Sequence, residues 1–259
     1  MQAVAAHIVS WLKAYQDKSH AQGFVVGVSG GIDSALTATL CALTGSKTIL
    51  VNMPIRQTQA ELNRALEQMA ALKKAHSNVS LQEIDLTPSF NILEASLGLD
   101  PALQHLALAN TRARLRMTTL YALAQANGCL VAGTGNKVED FGVGFYTKYG
   151  DGGVDISPIA DLYKTQVFKL AKQLQVVQSI LDAKPTDGLW EDGRSDEDQI
   201  GATYPELEWA MEFNGKQEAL TARQQEVLAI YTRLNQANQH KMQPIPVCDI
   251  PLDLKATLT

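Results

Sequence analysis

Apolar runs alternate along the chain with stretches whose apolar positions recur at helical spacing. At the start, Ala5, Ile8, Val9 and Leu12 fall on one face of a helix, the spacing of an amphipathic segment. The run GFVVGV at 23–28 carries no charge and is predicted to be a buried strand. A helix is expected over 33–43, then a strand over 47–54 (KTILVNMP). Pro54 would end that strand, because proline has no amide hydrogen for a ladder. A helix over 58–74 and a strand over 79–86, with alternating apolar residues, follow. Residues 101–127 read as mostly helical, with Asp100 and Pro101 as the start signal. GCLVAGT at 128–134 is predicted as strand four, and helices over 162–174 and 221–239 complete the pattern.

Strands alternating with helices imply parallel pairing and right-handed crossovers. The expected fold class is therefore α/β, a doubly wound, Rossmann-like parallel sheet flanked by helices. Ligands in such folds sit beyond the carboxyl ends of the strands. Strands one and four both run into glycine and hydroxyl residues, SGGIDS and GTGNK, which points to one site built from two loops. No repeat or linker interrupts the pattern, so a single domain over 1–259 is expected.

Composition narrows the function classes. The chain of 259 residues is 46% apolar, enough for an ample core and too apolar for a disordered chain. The net charge of −5 argues against a broad nucleic-acid face. Cys41, Cys129 and Cys248 are widely separated with no CxxC pair, and they read as buried thiols in a reducing compartment. The N-terminus lacks the basic and apolar regions of a secretory signal, and no run is long enough to span a bilayer. A cytoplasmic protein with no membrane partner is expected.

The loop GVSGGIDS at 27–34 carries the first chemistry. Gly30 and Gly31 allow a tight turn that aims amide hydrogens at a phosphate, and the helix behind them adds its positive end. Ser29 and Ser34 offer hydroxyls. A loop that transfers a γ-phosphoryl group usually carries a lysine; this one offers Asp33 instead. A carboxylate repels phosphate, but both bind Mg²⁺, so the loop is expected to hold a magnesium pyrophosphate. Taken alone, a Gly-Gly turn with an aspartate cap would serve equally well as a plain strand-to-helix connection.

The full string SGGIDSA after a buried strand resembles the loop of the N-type ATP pyrophosphatases, or adenine nucleotide alpha-hydrolases. That resemblance implies cleavage between the α and β phosphates of ATP with an adenylate intermediate. By itself it leaves open GMP, asparagine and argininosuccinate synthetases and several tRNA-modifying enzymes. The segments NTRARLRM (110–117), 133–167 with GTGNKVED and TKYGDGG, 183–208 and NQHKMQPIP (238–246) resemble the NAD synthetase family, and the resemblance runs from the first helix to the C-terminus.

The resemblance implies a role for each matched residue. Gly27, Val28, Ser29, Gly30, Gly31, Ile32, Asp33 and Ser34 would bind ATP, together with Thr134, Lys164 and Thr186. Asp33 and Glu139 would hold Mg²⁺, with Asp140 leaving the register of the second acid open. Arg114, Lys148, Asp155, His240 and Lys241 would bind deamido-NAD. Asp33, Glu139 and Lys164 would form the catalytic set. The implied reaction joins ammonia to deamido-NAD with cleavage of ATP to AMP and pyrophosphate, in a homodimer. Glutamine-dependent members add a nitrilase-like amidase domain, for which this chain has no room; a separate glutaminase is not implied. Loops at 76–89 and 183–205 are expected to close over the adenylate. Singly, Arg114, Lys164 and His240 would read as solvated surface residues and Thr186 as a cap; the joint pattern gives them their meaning. Phe145 and Tyr146 offer rings for stacking. An ATP pyrophosphatase with another acceptor, or a nucleotide sensor without catalysis, are the competing readings.

Overall fold

A computed structural model describes residues 2–186, 195–215 and 220–258. The uncharged run near the N-terminus forms β1 (Gly23–Gly27), with Phe24, Val25 and Val26 fully buried. It pairs in parallel with β2 (Lys47–Asn52) on one side and β4 (Leu130–Val131) on the other. β3 (Val79–Glu83) lies outside β2, giving the order β3-β2-β1-β4 with every pairing parallel. The chain moves outward from β1 to β3 and then returns to the far side of β1. The reversal falls between β1 and β4, where an open α/β sheet leaves its crevice.

Both faces are covered. Phe24 and Val26 pack with α1 (Gln2–Ser19), α2 (Ile32–Leu43), α3 (Gln59–Ala75) and α6 (Lys164–Gln173). Val25 points to the opposite face, beneath α4 (Thr87–Leu97) and α5 (His105–Asn127), with Ile49, Val51 and Phe90. This period of two, with both sets buried, explains why the strand reads as an unbroken apolar run. A third cluster gathers Leu207, Tyr204, Val138 and Val227. It joins a π-helical turn, Val138–Val143, to α9 (Tyr204–Glu212) and α10 (Ala222–Met242). Two short helices, α7 (Gln178–Leu181) and α8 (Asp196–Ile200), complete the described elements between α6 and α9.

Several expectations shift. Strand four is two residues long, not seven; its outer edge is bonded to the 155–156 segment, where the Asp155 carboxylate accepts the Val131 amide at 2.8 Å and the Gly133 amide donates to Ile156 O at 2.7 Å. The long helix starts at His105, since Asp100 caps a separate turn by accepting from Ala102 N at 2.9 Å. The segment 76–89 is no closing loop: it holds β3 and the first turn of α4. Of the 183–205 loop, residues 187–194 lie outside the described residues, and 196–200 are helical. Cys41 and Cys129 are buried as expected, whereas Cys248 is exposed.

Candidate active site

The loop after β1 is tied into a compact ring. Ser34 Oγ donates to Gly31 O at 2.9 Å and accepts from Ser29 N at 3.2 Å, while Gly31 N donates to Ser29 Oγ at 3.2 Å. The two serine hydroxyls are 3.1 Å apart. Gly30 has φ +89°, and a Cβ there would lie 2.5 Å from Glu61 O in α3. A side chain would thus meet both a disfavoured backbone conformation and a fixed carbonyl. The glycine lets α3 press directly against the phosphate loop.

At the base of this loop three distant segments meet. Lys164, the first residue of α6, is almost wholly buried and donates to Asp33 Oδ2 at 2.6 Å and to Glu139 Oε1 at 2.8 Å. Asn136, fully buried, positions both acids: its amide donates to Asp33 Oδ1 at 3.1 Å, and its carbonyl accepts from the Val138 and Glu139 amides, both at 3.1 Å. The Tyr204 hydroxyl donates to Glu139 Oε1 at 2.6 Å. Burial pushes the Asp33 carboxyl above its ordinary range despite the pull of Lys164, and Glu139 adds to the rise. Burial acts likewise on Glu139, but there Lys164 and Tyr204 outweigh it and hold the acid below its ordinary range. Burial would neutralise Lys164; the two carboxylates overcome that and keep it charged.

The two neighbouring acids differ in what they face. Glu139, not Asp140, shares the Lys164 ammonium with Asp33. Asp140 turns toward Gly135, where a Cβ would lie 2.0 Å from its carboxylate oxygen. Burial and the nearby Glu139 raise Asp140 to about 8. Asp33 and Glu139 converge on the Lys164 ammonium, and as hard oxygen donors they are the two side chains here that could hold Mg²⁺.

The loop and the ion cluster open into a cleft of about 530 Å³ that runs between the β1 and β4 ends. All of Gly27, Val28, Ser29, Gly30, Gly31, Ile32, Asp33 and Ser34 line it, as do Thr134, Glu139, Lys164, Thr186 and Lys241. Phe145 and Tyr146 line it as well. Arg114, Lys148, Asp155 and His240 do not. Arg114, Lys148 and His240 join a neighbouring network instead: Arg114 Nε donates to Lys148 O at 3.3 Å, and Lys148 Nζ donates to His240 O. Asp155 holds the Val131 amide and accepts from the Tyr121 hydroxyl at 3.0 Å. Lys241 Nζ donates to Gly144 O at 2.8 Å and Tyr146 O at 2.9 Å, which latches the end of α10 onto the 144–149 segment. Lys164 was expected at the ATP phosphates; its ammonium lies between the two acids. Asn136, Tyr204 and Arg64 carry no role in the sequence pattern, and of the arginines in NTRARLRM only Arg114 is given one, not Arg116. Arg116 lines the cleft and donates to Met53 O at 3.0 Å. Asn136, Arg116 and Tyr204 lie inside segments that carry the family resemblance (GTGNKVED, NTRARLRM and 183–208), whereas Arg64 lies outside them.

A parallel sheet whose reversal point carries a glycine-rich phosphate loop and a metal-suited pair of acids defines a nucleotide-binding α/β enzyme. The sequence profile of the NAD synthase family matches residues 4–245. The NH(3)-dependent NAD(+) synthetase of Alkaliphilus metalliredigens is 38% identical over 245 residues, 92% of this chain and 96% of that protein. Among solved structures, NMN synthetase from Francisella tularensis matches with a TM-score of 0.85 and 34% identity, covering 96% of this chain and 98% of the other. NH3-dependent NAD synthetase from Campylobacter jejuni matches with a TM-score of 0.77 and 26% identity, covering 96% and 99%. The chain belongs to the NAD synthase family.

Proposed function

We propose that this enzyme amidates the nicotinate carboxylate of deamido-NAD with ammonia, using ATP and releasing AMP and pyrophosphate. The observation that carries this reading is the Asp33–Lys164–Glu139 cluster directly beneath a phosphate loop in one cleft. In the first step a nicotinate carboxylate oxygen bonds to the α-phosphorus. The α–β P–O bond breaks, and pyrophosphate leaves with the electron pair. In the second step ammonia bonds to the carbonyl carbon, AMP leaves with the former carboxylate oxygen, and ammonia gives up a proton. Adenylation is needed because an oxide ion would otherwise have to leave.

The side chains divide these tasks. Gly30, Gly31, Ser29 and Ser34 cradle the phosphates, with Thr134 and Thr186 beside the nucleotide. Mg²⁺ held by Asp33 and Glu139 would supply neutralising charge as the phosphate bond breaks. Lys164 orients the acids and is close enough to the loop to follow the phosphates. Arg114, Lys148, Asp155, His240 and Lys241 receive the dinucleotide. No protein nucleophile is required, so catalysis rests on alignment and charge. Ammonia is taken as the direct nitrogen donor, in line with the name of the A. metalliredigens relative. Residues Ile92, Leu97, Leu103 and Leu106 on and between α4 and α5 are exposed apolar groups, which supports a homodimer through this face. The buried, unpaired thiols of Cys41 and Cys129 accord with the cytoplasm.

The test follows one atom. With ¹⁸O in the carboxylate of deamido-NAD, one label is expected in the AMP phosphate. AMP without label would refute the adenylate.

A second reading keeps the chemistry and shortens the acceptor to nicotinic acid mononucleotide. The F. tularensis structure favours it, being an NMN synthetase with both the higher TM-score and the higher identity of the two structural relatives. The placement of Arg114, Lys148, Asp155 and His240 outside the cleft also suits a smaller acceptor. Comparison of kcat/KM for the two acid acceptors decides between them.

A further inference from the structure

The phosphate loop contains no lysine or arginine between residues 27 and 34, yet the leaving pyrophosphate carries several negative charges. The cationic side chains around the cleft are mostly committed elsewhere. Lys164 is held by two carboxylates, Arg116 by Met53 O, and Lys241 by two carbonyls. Lys184 is exposed at the rim. Arg64 differs from all of these. It projects from α3, lines the cleft, is half-buried, and donates from Nε to Gly30 O at 3.4 Å. Among the described residues it is the one cation hydrogen-bonded to the backbone of the phosphate loop, and it has no carboxylate partner there. Its neighbour Glu61 turns one carboxylate oxygen to the cap of α3, where Oε2 accepts from Thr58 N at 3.1 Å and Thr58 Oγ1 at 2.8 Å.

The contact through Nε leaves the two terminal nitrogens of the guanidinium for other acceptors, and that fork matches phosphate oxygens in pairs. The close approach of α3 to Gly30 fixes the distance, because Glu61 O and Ala65 N lie against the glycine. We infer that Arg64 grips the β and γ phosphates of ATP and then the pyrophosphate they become, supplying from α3 the cation the loop lacks. This role rests on the proposed α–β cleavage: in that reaction the β and γ phosphates leave together, and a cation on the α3 side of the loop serves the leaving group without shielding the α-phosphorus.

The test measures binding of magnesium pyrophosphate to the free protein by calorimetry, with AMP titrated in parallel. Arg64→Gln is expected to weaken pyrophosphate about tenfold while AMP affinity stays unchanged, and Arg64→Lys is expected to fall between. In steady state the same variant raises KM for ATP and relieves inhibition by pyrophosphate, with KM for the acid acceptor unaltered. Equal pyrophosphate affinity in Arg64→Gln and the unaltered protein would overturn the assignment. So would parallel losses for AMP and pyrophosphate, which would mark Arg64 as a structural support of the loop. These outcomes stand apart from the isotope experiment: label transfer with unchanged pyrophosphate binding removes the role of Arg64 alone, whereas absence of label removes the ligase reading.

Discussion

Asp33 and Glu139 share a single ammonium ion, so the two ends of that arrangement respond differently to substitution. Asp33→Asn keeps the shape and leaves Lys164 paired with Glu139. Because burial already raises the Asp33 carboxyl, loss of its charge removes a desolvation cost as well as an attraction. Turnover is expected to fall at least about 100-fold, with the thermal midpoint within about 4 °C of the unaltered protein; normal activity would remove Asp33 from the mechanism. Lys164→Met is the opposite case. It leaves two buried acids with no cation, and breaking a buried pair in this way costs roughly 3–5 kcal/mol. Urea unfolding compares the two variants directly, and the lysine variant is expected to lose more stability than the aspartate variant.

At the scale of elements, α9 and α10 are joined by a titratable clamp. Arg223 reaches Glu206 through Nε and Nη2, both at 2.8 Å, and the Thr203 amide donates to the same carboxylate at 2.8 Å. The Arg223 hydrogen bonds, then the Thr203 amide, hold Glu206 down at about 2, below the ordinary glutamate value of 4.5. The unfolded chain therefore takes up a proton before the folded one does. The clamp stabilises fully above about pH 4.5, and its contribution disappears as pH falls toward 2. Both groups are partly solvated, so the effect is modest. Glu206→Gln is expected to flatten the pH dependence of unfolding in that window; an unchanged slope would show that the clamp is not coupled to folding.

The sequence conveys such elements unevenly. β1, its loop and α2 were legible because every apolar residue of β1 is buried and the loop needs its glycines. The helix α4 was not, since Phe90 is its only buried residue while Ile92, Leu93 and Leu97 face solvent, so its apolar positions do not follow a single buried face. The π-helical turn that carries Glu139 leaves no periodic trace over six residues. The candidate site shows the same division. Asp33 and Glu139 sit in recognisable strings, but Asn136, Tyr204 and Arg64 act through contacts between segments far apart in the chain, which no local spacing encodes.

At the scale of the whole molecule, exposed apolar side chains among the described residues gather on the α4–α5 face, on α1 with Val4, Trp11 and Tyr15, and along the C-terminal stretch with Ile245, Val247, Leu252 and Leu258. Soluble monomers rarely leave broad apolar patches bare, and burial of Leu103 and Leu106 in a homodimer would account for the first. Sedimentation of Leu103→Glu is expected to show a shift toward monomer at concentrations where the unaltered chain is dimeric; a monomer in both cases would dismiss this face as the contact. The ion cluster has a consequence for how the molecule matures. Its bonds join residues 103 and 131 positions apart, so they exist only where the β1 loop, the 136–139 turn and the start of α6 have been brought together. A chain in which α6 has not docked would lack the lysine that completes the site. Nucleotide would then bind the finished fold alone, and saturation at about 100 times Kd would add about 2.7 kcal/mol to its stability. In a cell the supply of ATP would thus act as a selective stabiliser of correctly completed chains, leaving incomplete ones to proteolysis.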